Sequence, residues 1–351
     1  MKLRVGDWVE VKSKEEILRT LDKKGRMEGL PFMPQMFKYC GQKFRVFKRA
    51  HKTCDWVYTA KAQRLPKGIH LDHRCDGEAF GGCQSACSIF WKEAWLKPVS
   101  GSNESAVSSQ QSANSISTSV DPSAKSSSCT EADVWGGTRL GIEKGGEEPR
   151  YICQGTQVLD FTKPLPWWDI RQYIEDYSSG NVTPGRFIRG LIYAGYNLPL
   201  NSGIGLGRPM RWFYDKFQSL WGGIPNPRRT GKIPVEQPTP TCNLILQPGE
   251  LVRVKSYKEI LETLDTKGKN RGLSFDAEMV PYCGGTYRVR SRVRKYVDEK
   301  TGKLVIMKNE SIILEGVWCQ GRYSECRMFC PRSLYPWWHE IWLERVPENM
   351  N

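Results

Sequence analysis

The sequence predicts an α+β fold: two duplicated small SH3-like β-barrel modules, each with a four-cysteine site and a short helix, joined by a central mainly helical region. Three observations lead there. Residues 6–46 and 249–289 align without a gap, and 22 of the 41 positions are identical. Cys40, Cys75, Cys83 and Cys87 answer to Cys283, Cys319, Cys326 and Cys330. Each copy closes on the same phrase, Trp91-x-Glu93-x-Trp95-Leu96-x-x-Val99 and Trp338-x-Glu340-x-Trp342-Leu343-x-x-Val346. Residues that survive together in two copies of one chain act together.

The first unit spans 1–99 and the second 248–347. Both open with alternating apolar residues, Val9 and Val11, then Val252 and Val254, which is the period of a half-buried strand. A helix follows over 14–21 or 257–264 and stops at Gly25 or Gly268. Strands are then expected at 43–48 and 286–290, at 69–71 and 312–315, and in the closing Trp-Leu-x-x-Val phrase. Trp91, Trp95, Trp338 and Trp342 read as core, because the pair in each copy shares a face.

Residues 100–133 are dominated by Ser, Asn and Gln and read as a disordered linker, since they cannot bury enough apolar surface to offset ordering entropy. Cys129 in that tract reads as a spare thiol. The central region, 134–224, offers a strand-like Tyr151-Ile152-Cys153-Gln154 and a helix entered at Asp169 and running to Tyr177. Thr183-Pro184 is a cap and first-turn pair for a second helix, and 209–220 is a third. A helical core is the favoured use of their apolar faces, with residence on a membrane surface as the alternative. Residues 225–247 form a Pro-rich tether.

Met1 leads straight into charged sequence, so no secretory signal is expected, and no apolar run approaches the length of a transmembrane helix. The expected location is cytoplasmic, where thiols stay reduced and clustered cysteines point to metal rather than disulfides. Four thiolates make a closed tetrahedral site that suits zinc, giving two zinc ions per chain on Cys40, Cys75, Cys83 and Cys87 and on Cys283, Cys319, Cys326 and Cys330. The spacing is C-x7-C-x3-C in the first copy and C-x6-C-x3-C in the second. It leaves an iron–sulfur cluster, plain buried thiols or disulfide pairs as alternatives. Cys54, Cys153 and Cys242 lack counterparts in the other copy, and a ligand role for His73 is disfavoured.

The net charge of +14 is concentrated in the first hundred residues, which carry 20 Lys and Arg against 11 Asp and Glu. Arg45, Lys48 and Arg49 in one copy and Arg288, Arg290, Arg292 and Arg294 in the other form basic strands. Such strands suit an anionic partner such as nucleic acid, or are charged edges that discourage aggregation, the latter slightly favoured. Glu93 and Glu340 recur and read as ion-pair residues. No paired acids, nucleophile–base set or phosphate loop stands out, Gly203-x-Gly205-x-Gly207 being off the dinucleotide register. The reading is therefore a non-enzymatic binding or scaffold protein, with an anionic or protein partner. The alternative is an accessory redox or biosynthetic enzyme built on an iron–sulfur cluster or a reactive cysteine pair.

Overall fold

The computed structural model describes residues 3–55, 57–59, 61–99, 129–140, 149–201, 207–220, 229–323 and 327–347. The tract 100–128 and Cys326 lie outside them. The described chain is mixed helix and sheet.

In the first unit β1 (Trp8–Val11), α1 (Lys14–Leu18), β2 (Lys43–Arg49), β3 (Lys52–Asp55), β4 (Lys61–Arg64), β5 (Gly68–Leu71), β6 (Trp91–Lys92) and β7 (Leu96–Pro98) follow in order. The main sheet runs β6-β5-β2-β1-β7, and β3 and β4 form an arm to which Lys163–Pro164 adds a third strand. The central helices are α2 (Arg171–Ser178), α3 (Pro184–Asn201) and α4 (Gly207–Leu220). The second unit holds β8 (Leu251–Val254), α5 (Tyr257–Glu262), β9 (Thr286–Val297), β10 (Leu304–Leu314) and β11 (Leu343–Arg345), with sheet order β10-β9-β8-β11. Among the described residues neither main sheet closes on itself.

Positions that match in sequence also match in pairing. Val9 faces Phe44 and Pro98, while Val252 faces Tyr287 and Arg345. Ile69 faces Trp91, and Ile312 faces Trp338. Both short helices start on a reciprocal cap, Ser13 with Glu16 and Ser256 with Glu259, which satisfies backbone donors that the first turn leaves open. The helices end earlier than their apolar spacing predicts. Thr20 and Thr263 turn their hydroxyls back onto Ile17 and Ile260 O and accept the Trp95 and Trp342 indole N–H, each at 2.9 Å. Trp91, Trp95, Trp338 and Trp342 are all fully buried, and Trp91–Trp95 and Trp338–Trp342 meet edge to face with centroids 6.4 Å apart.

Sequence and structure differ in three further places. Strands β9 and β10 extend far beyond the expected segments, into a hairpin whose end places Val297 and Leu304 in the first unit's core. A helix, Glu131–Gly136, begins inside the tract read as linker, and Cys129 beside it is buried against the first core rather than spare in solvent. Finally, α3 and α4 meet through Tyr193, Tyr196 and Tyr214 and dock on the second unit through Phe187 against Phe329. That choice of face leaves Ile188, Leu191, Ile192, Trp212 and Phe213 exposed rather than in a helical core. No helix among the described residues is long and apolar enough to cross a membrane.

Candidate metal centres

Two cysteine loops occupy equivalent places, one after β5 and one after β10. In the first, Cys75 N–H donates to Cys87 O at 2.9 Å, and Arg74 bridges Ser88, so the loop is closed at its base. Phe80, buried in the core, pins its middle. Gly77 makes the tight return possible. Its φ is +71°, and a Cβ there would stand 1.9 Å from Cys83 O, so only glycine fits. In the second loop Cys319 N–H donates to Leu334 O at 2.8 Å, and Gly321 plays the same part: a Cβ would come within 2.8 Å of Arg327 O and Cys330 N.

The first loop gathers Cys75, Cys83 and Cys87, and the central region adds Cys153. Cys75 is within electrostatic reach of Cys83 and Cys153, Cys87 within reach of Cys75 and Cys83, and Cys153 within reach of Cys83. Polar N–H groups point at these sulfurs. Gln35 Nε2 donates to Cys75 Sγ at 3.1 Å and Val297 N–H to Cys83 Sγ at 3.3 Å. Backbone N–H groups two residues on donate to Cys75 from Gly77 and to Cys153 from Gly155. Such donors favour thiolate, but burial opposes it. It pushes Cys75 up to about 12 and Cys153 up to about 11, and holds Cys87 well above the ordinary thiol range. Three such sulfurs, Cys75, Cys87 and Cys153, become charged together only against a cation.

The second loop brings Cys319 and Cys330 together with Cys54 from β3. Cys54 and Cys330 share a hydrogen bond that holds the proton on Cys330 and lowers Cys54, with the Arg332 guanidinium assisting. Cys319 lies within reach of Cys54, and Cys330 within reach of Cys319. Gly321 and Arg332 N–H groups donate to Cys319 and Cys330, again two residues on. Between the two thiol neighbourhoods sits a buried ion pair, Arg332 with Glu299 at 2.6 Å, whose guanidinium feels Cys54, Cys87 and Cys330 alike.

The structure does not bring Cys40 and Cys283 to these sulfurs. They follow equivalent 3-10 turns, Pro34–Tyr39 and Ala277–Tyr282. Burial pushes Cys40 up to about 11, and its charged neighbours are Glu15 and Lys14. Cys283, pushed up to about 12, faces Met279 O at 3.9 Å. Sequence reasoning set Cys54 and Cys153 aside because neither has a copy. The signal that finds Cys54 is register: Arg49-x-x-Lys52-x-Cys54-Asp55 matches Arg292-x-x-Lys295-x-Val297-Asp298, so Cys54 and Val297 are equivalent. Each of these two residues lies against the other unit's cysteine loop. Among the described residues no three Cys, His, Asp or Glu groups stand within mutual reach of one ion, so these are thiol neighbourhoods rather than a closed coordination shell. His73 accepts from the Trp91 indole at 3.1 Å and stacks on Tyr39.

The basic strands are largely committed within the fold. Lys48 is buried against Ser333 Oγ at 3.0 Å, and burial pushes it down to about 8. Arg49 pairs with Glu93 at 2.6 Å and Glu175 at 2.9 Å. Its counterpart Arg292 pairs with Glu340 at 2.9 Å and Glu310 at 2.7 Å, and Arg294 shares Glu310. Arg288 donates to Gly249 O, and Arg290 lies over the Tyr335 ring. Arg45 lies over the half-exposed Trp8. The recurring Glu93 and Glu340 thus have a recurring basic partner, which the sequence did not single out. No protein-family model matches the chain, and no curated protein matches it.

Proposed function

We propose that the chain is a non-catalytic binding or scaffold protein with two zinc-stapled units, two zinc ions per chain, working in a reducing, cytoplasmic setting. The observation that carries this reading is the pair of equivalent loops, each closed at its base and each with backbone N–H groups aimed at buried sulfurs. A structural ion supplies what a unit of about a hundred residues is short of, a staple across its loops. The shared strand order supports reading each unit as a small curled sheet of the SH3-like kind. A scaffold role is also supported by how Glu93 and Glu340 are used. Glu93 is tied to the buried Arg49 and Glu340 to the partly buried Arg292, and Glu340 additionally accepts from Leu244 and Leu246 N–H, so both carboxylates are committed within the fold.

Binding would use the surface left over. The apolar face of α3 and α4 is exposed for a protein partner, and the surplus positive charge of the first unit attracts an anionic one, nucleic acid included. Metal analysis of the purified full-length protein tests the staple. Two equivalents of zinc and no visible absorption are expected. Iron with a brown chromophore would instead support the redox alternative, and metal-free protein with freely titrating thiols would remove both. Binding to single-stranded nucleic acid should weaken steeply with added salt, and binding indifferent to salt would remove the anionic partner.

A further inference from the structure

We propose that the outer faces of α2, α3 and α4 form a docking surface for an anionic phospholipid membrane, which the protein lies against without crossing. The inference rests on the binding role proposed above and deepens it by naming what covers the apolar face, a lipid surface in place of a protein. It does not involve zinc.

The surface follows from how the helices pack. Gly190 marks the inner side of α3: a Cβ there would stand 2.2 Å from Phe329 Cζ, so the helix lies directly on the second unit's loop. Tyr193 and Tyr196 turn instead to Tyr214 of α4. Ile188, Leu191 and Ile192, spaced i, i+3 and i+4, are left on an outer stripe and are 47–64% exposed. Trp212, Phe213 and Phe217 of α4 are exposed in the same way. Tyr177 meets Phe187 with ring centroids 5.6 Å apart and carries the surface on to α2, where Ile170 and Ile174 share its face and are exposed too. Single exposed apolar side chains need no explanation, but a row of them on each of three adjoining helices marks an interaction site.

Charge selects the occupant. Residues 178–220 hold five Lys and Arg against the single carboxylate of Asp215. Arg189 and Arg211, next in sequence to Ile188 and Trp212, are exposed. The acids of α2 and its entry are neutralised within the fold: Glu175 pairs with Arg49 at 2.9 Å, Asp176 with Lys52 at 2.5 Å and Asp169 with Arg171 at 2.8 Å. A second copy of the chain would bring two positive faces together, which like-charge repulsion opposes. A nucleic acid would meet the arginines and the aromatic rings but offers nothing to Ile188, Leu191 and Ile192. A bilayer surface answers both needs, because acyl chains receive the apolar side chains and anionic headgroups receive the arginines. Trp167 and Trp168, just before α2, are 48% and 67% exposed and suit the headgroup level. With no helix among the described residues fit to span a bilayer, the contact is interfacial.

Co-sedimentation of the full-length protein with lipid vesicles tests the assignment. Vesicles of phosphatidylcholine mixed with phosphatidylserine should take up the protein, and vesicles of phosphatidylcholine alone should do so about tenfold less. Ile192→Gln and Trp212→Gln should each weaken uptake by about tenfold. Both side chains are exposed, so neither change removes a core contact. Arg189→Gln should weaken uptake about fivefold, and only on vesicles that contain phosphatidylserine. Arg45→Gln, which removes an exposed charge from the first unit, should leave uptake unchanged. Equal uptake by both kinds of vesicle, uptake by neither, indifference to Ile192→Gln and Trp212→Gln, or a loss through Arg45→Gln instead of Arg189→Gln overturns the membrane assignment. Uptake by neither, in protein that holds two zinc ions, leaves the scaffold reading standing and returns the face to a protein partner. Metal-free protein that binds vesicles in the expected pattern keeps the membrane surface and removes the zinc staple instead.

Discussion

Replacing Lys52 by Met should destabilise the whole chain by about 3 kcal/mol, although the change touches no cysteine. Lys52 and Asp176 are both fully buried, with Nζ 2.5 Å from Asp176 Oδ2. The ammonium also donates to Met328 O at 2.8 Å and Gln172 Oε1 at 3.2 Å, so one side chain from β3 ties α2 and the second unit's loop together. Removing one partner of a buried pair typically costs about 3–5 kcal/mol, because the remaining charge is stranded away from water. His51 Nε2 stands 3.3 Å from Asp176 Oδ1 but shares no hydrogen bond with it, so a cost inside that range is expected. Removing both charges is different. The double substitution K52M/D176L leaves no stranded ion, so its cost should fall well below the sum of the two single changes. Urea unfolding of the four proteins, followed by tryptophan fluorescence, gives the coupling directly. Additivity within about 0.5 kcal/mol would show that the two groups do not act as a pair. A neutral K52M would show that the junction does not hold the parts of the chain together.

The repeated ion pairs should not be equally valuable. Glu340→Ala should cost about 3 kcal/mol, since that carboxylate holds Arg292 and the Leu244 and Leu246 N–H groups. Glu93→Ala should cost about 1 kcal/mol, since Arg49 keeps Glu175; the reverse order in urea melts would contradict this. On the proposed zinc reading, Gly77→Ala should lower the zinc content by one ion, because the clash with Cys83 O lies in the first loop alone; unchanged zinc content would show that the loop can form without the close return. Stability should also fall on acidification through the histidine range. Burial pushes His70 down to about 3 and His339 down to about 4, so both stay neutral in the fold while the unfolded chain protonates below about pH 6.5. Their contribution is therefore complete above about pH 6.5 and is lost as pH falls toward the folded values, by up to about 1.4 kcal/mol per pH unit for each. Urea midpoints of wild type and His70→Gln compared at about pH 7 and about pH 5 should converge as pH falls; parallel loss in both proteins would exclude His70 as a source.

How much of this was legible in the sequence depends on the range of the interaction. Val9, Val11, Val252 and Val254 announced their strands because alternation is a local signal, and each is fully buried. The Ser13 and Ser256 caps, three residues from a glutamate, are local as well, yet they went unread in the sequence. The helix ends were not local, because Thr20 and Thr263 terminate helices by receiving tryptophans some 75 and 79 residues away. The basic strands were seen as charged but not as neutralised, since Glu175, Glu310 and Glu340 arrive from distant segments. The cysteine set shows the same limit. Comparing copies finds what the copies share, so it selects Cys40 and Cys283 and passes over Cys54 and Cys153. A contact made between unlike positions leaves no such mark.

That asymmetry has a physical basis in the hairpins that cross between the units. The end of β9–β10 buries Val297 and Leu304 in the first unit's apolar cluster, where a valine is favoured by transfer from water. The equivalent arm β3–β4 enters a different environment, against Arg332, Lys48 and the Cys330 loop, with Lys52 and Asp176 beneath it. One arm is therefore anchored by apolar contact and the other by charge and sulfur. Polar junctions gain little net free energy from association, because desolvation offsets most of the attraction. The polar arm at Cys54 is thus the weaker anchor, and the apolar hairpin at Val297 the stronger. Low concentrations of urea should consequently loosen the β3–β4 arm before the β9–β10 hairpin. Amide exchange at sub-denaturing urea reads this order. Earlier exposure of Val297 N–H than of the Cys54 strand would mean that apolar contact, and not the thiol junction, is the weaker of the two anchors.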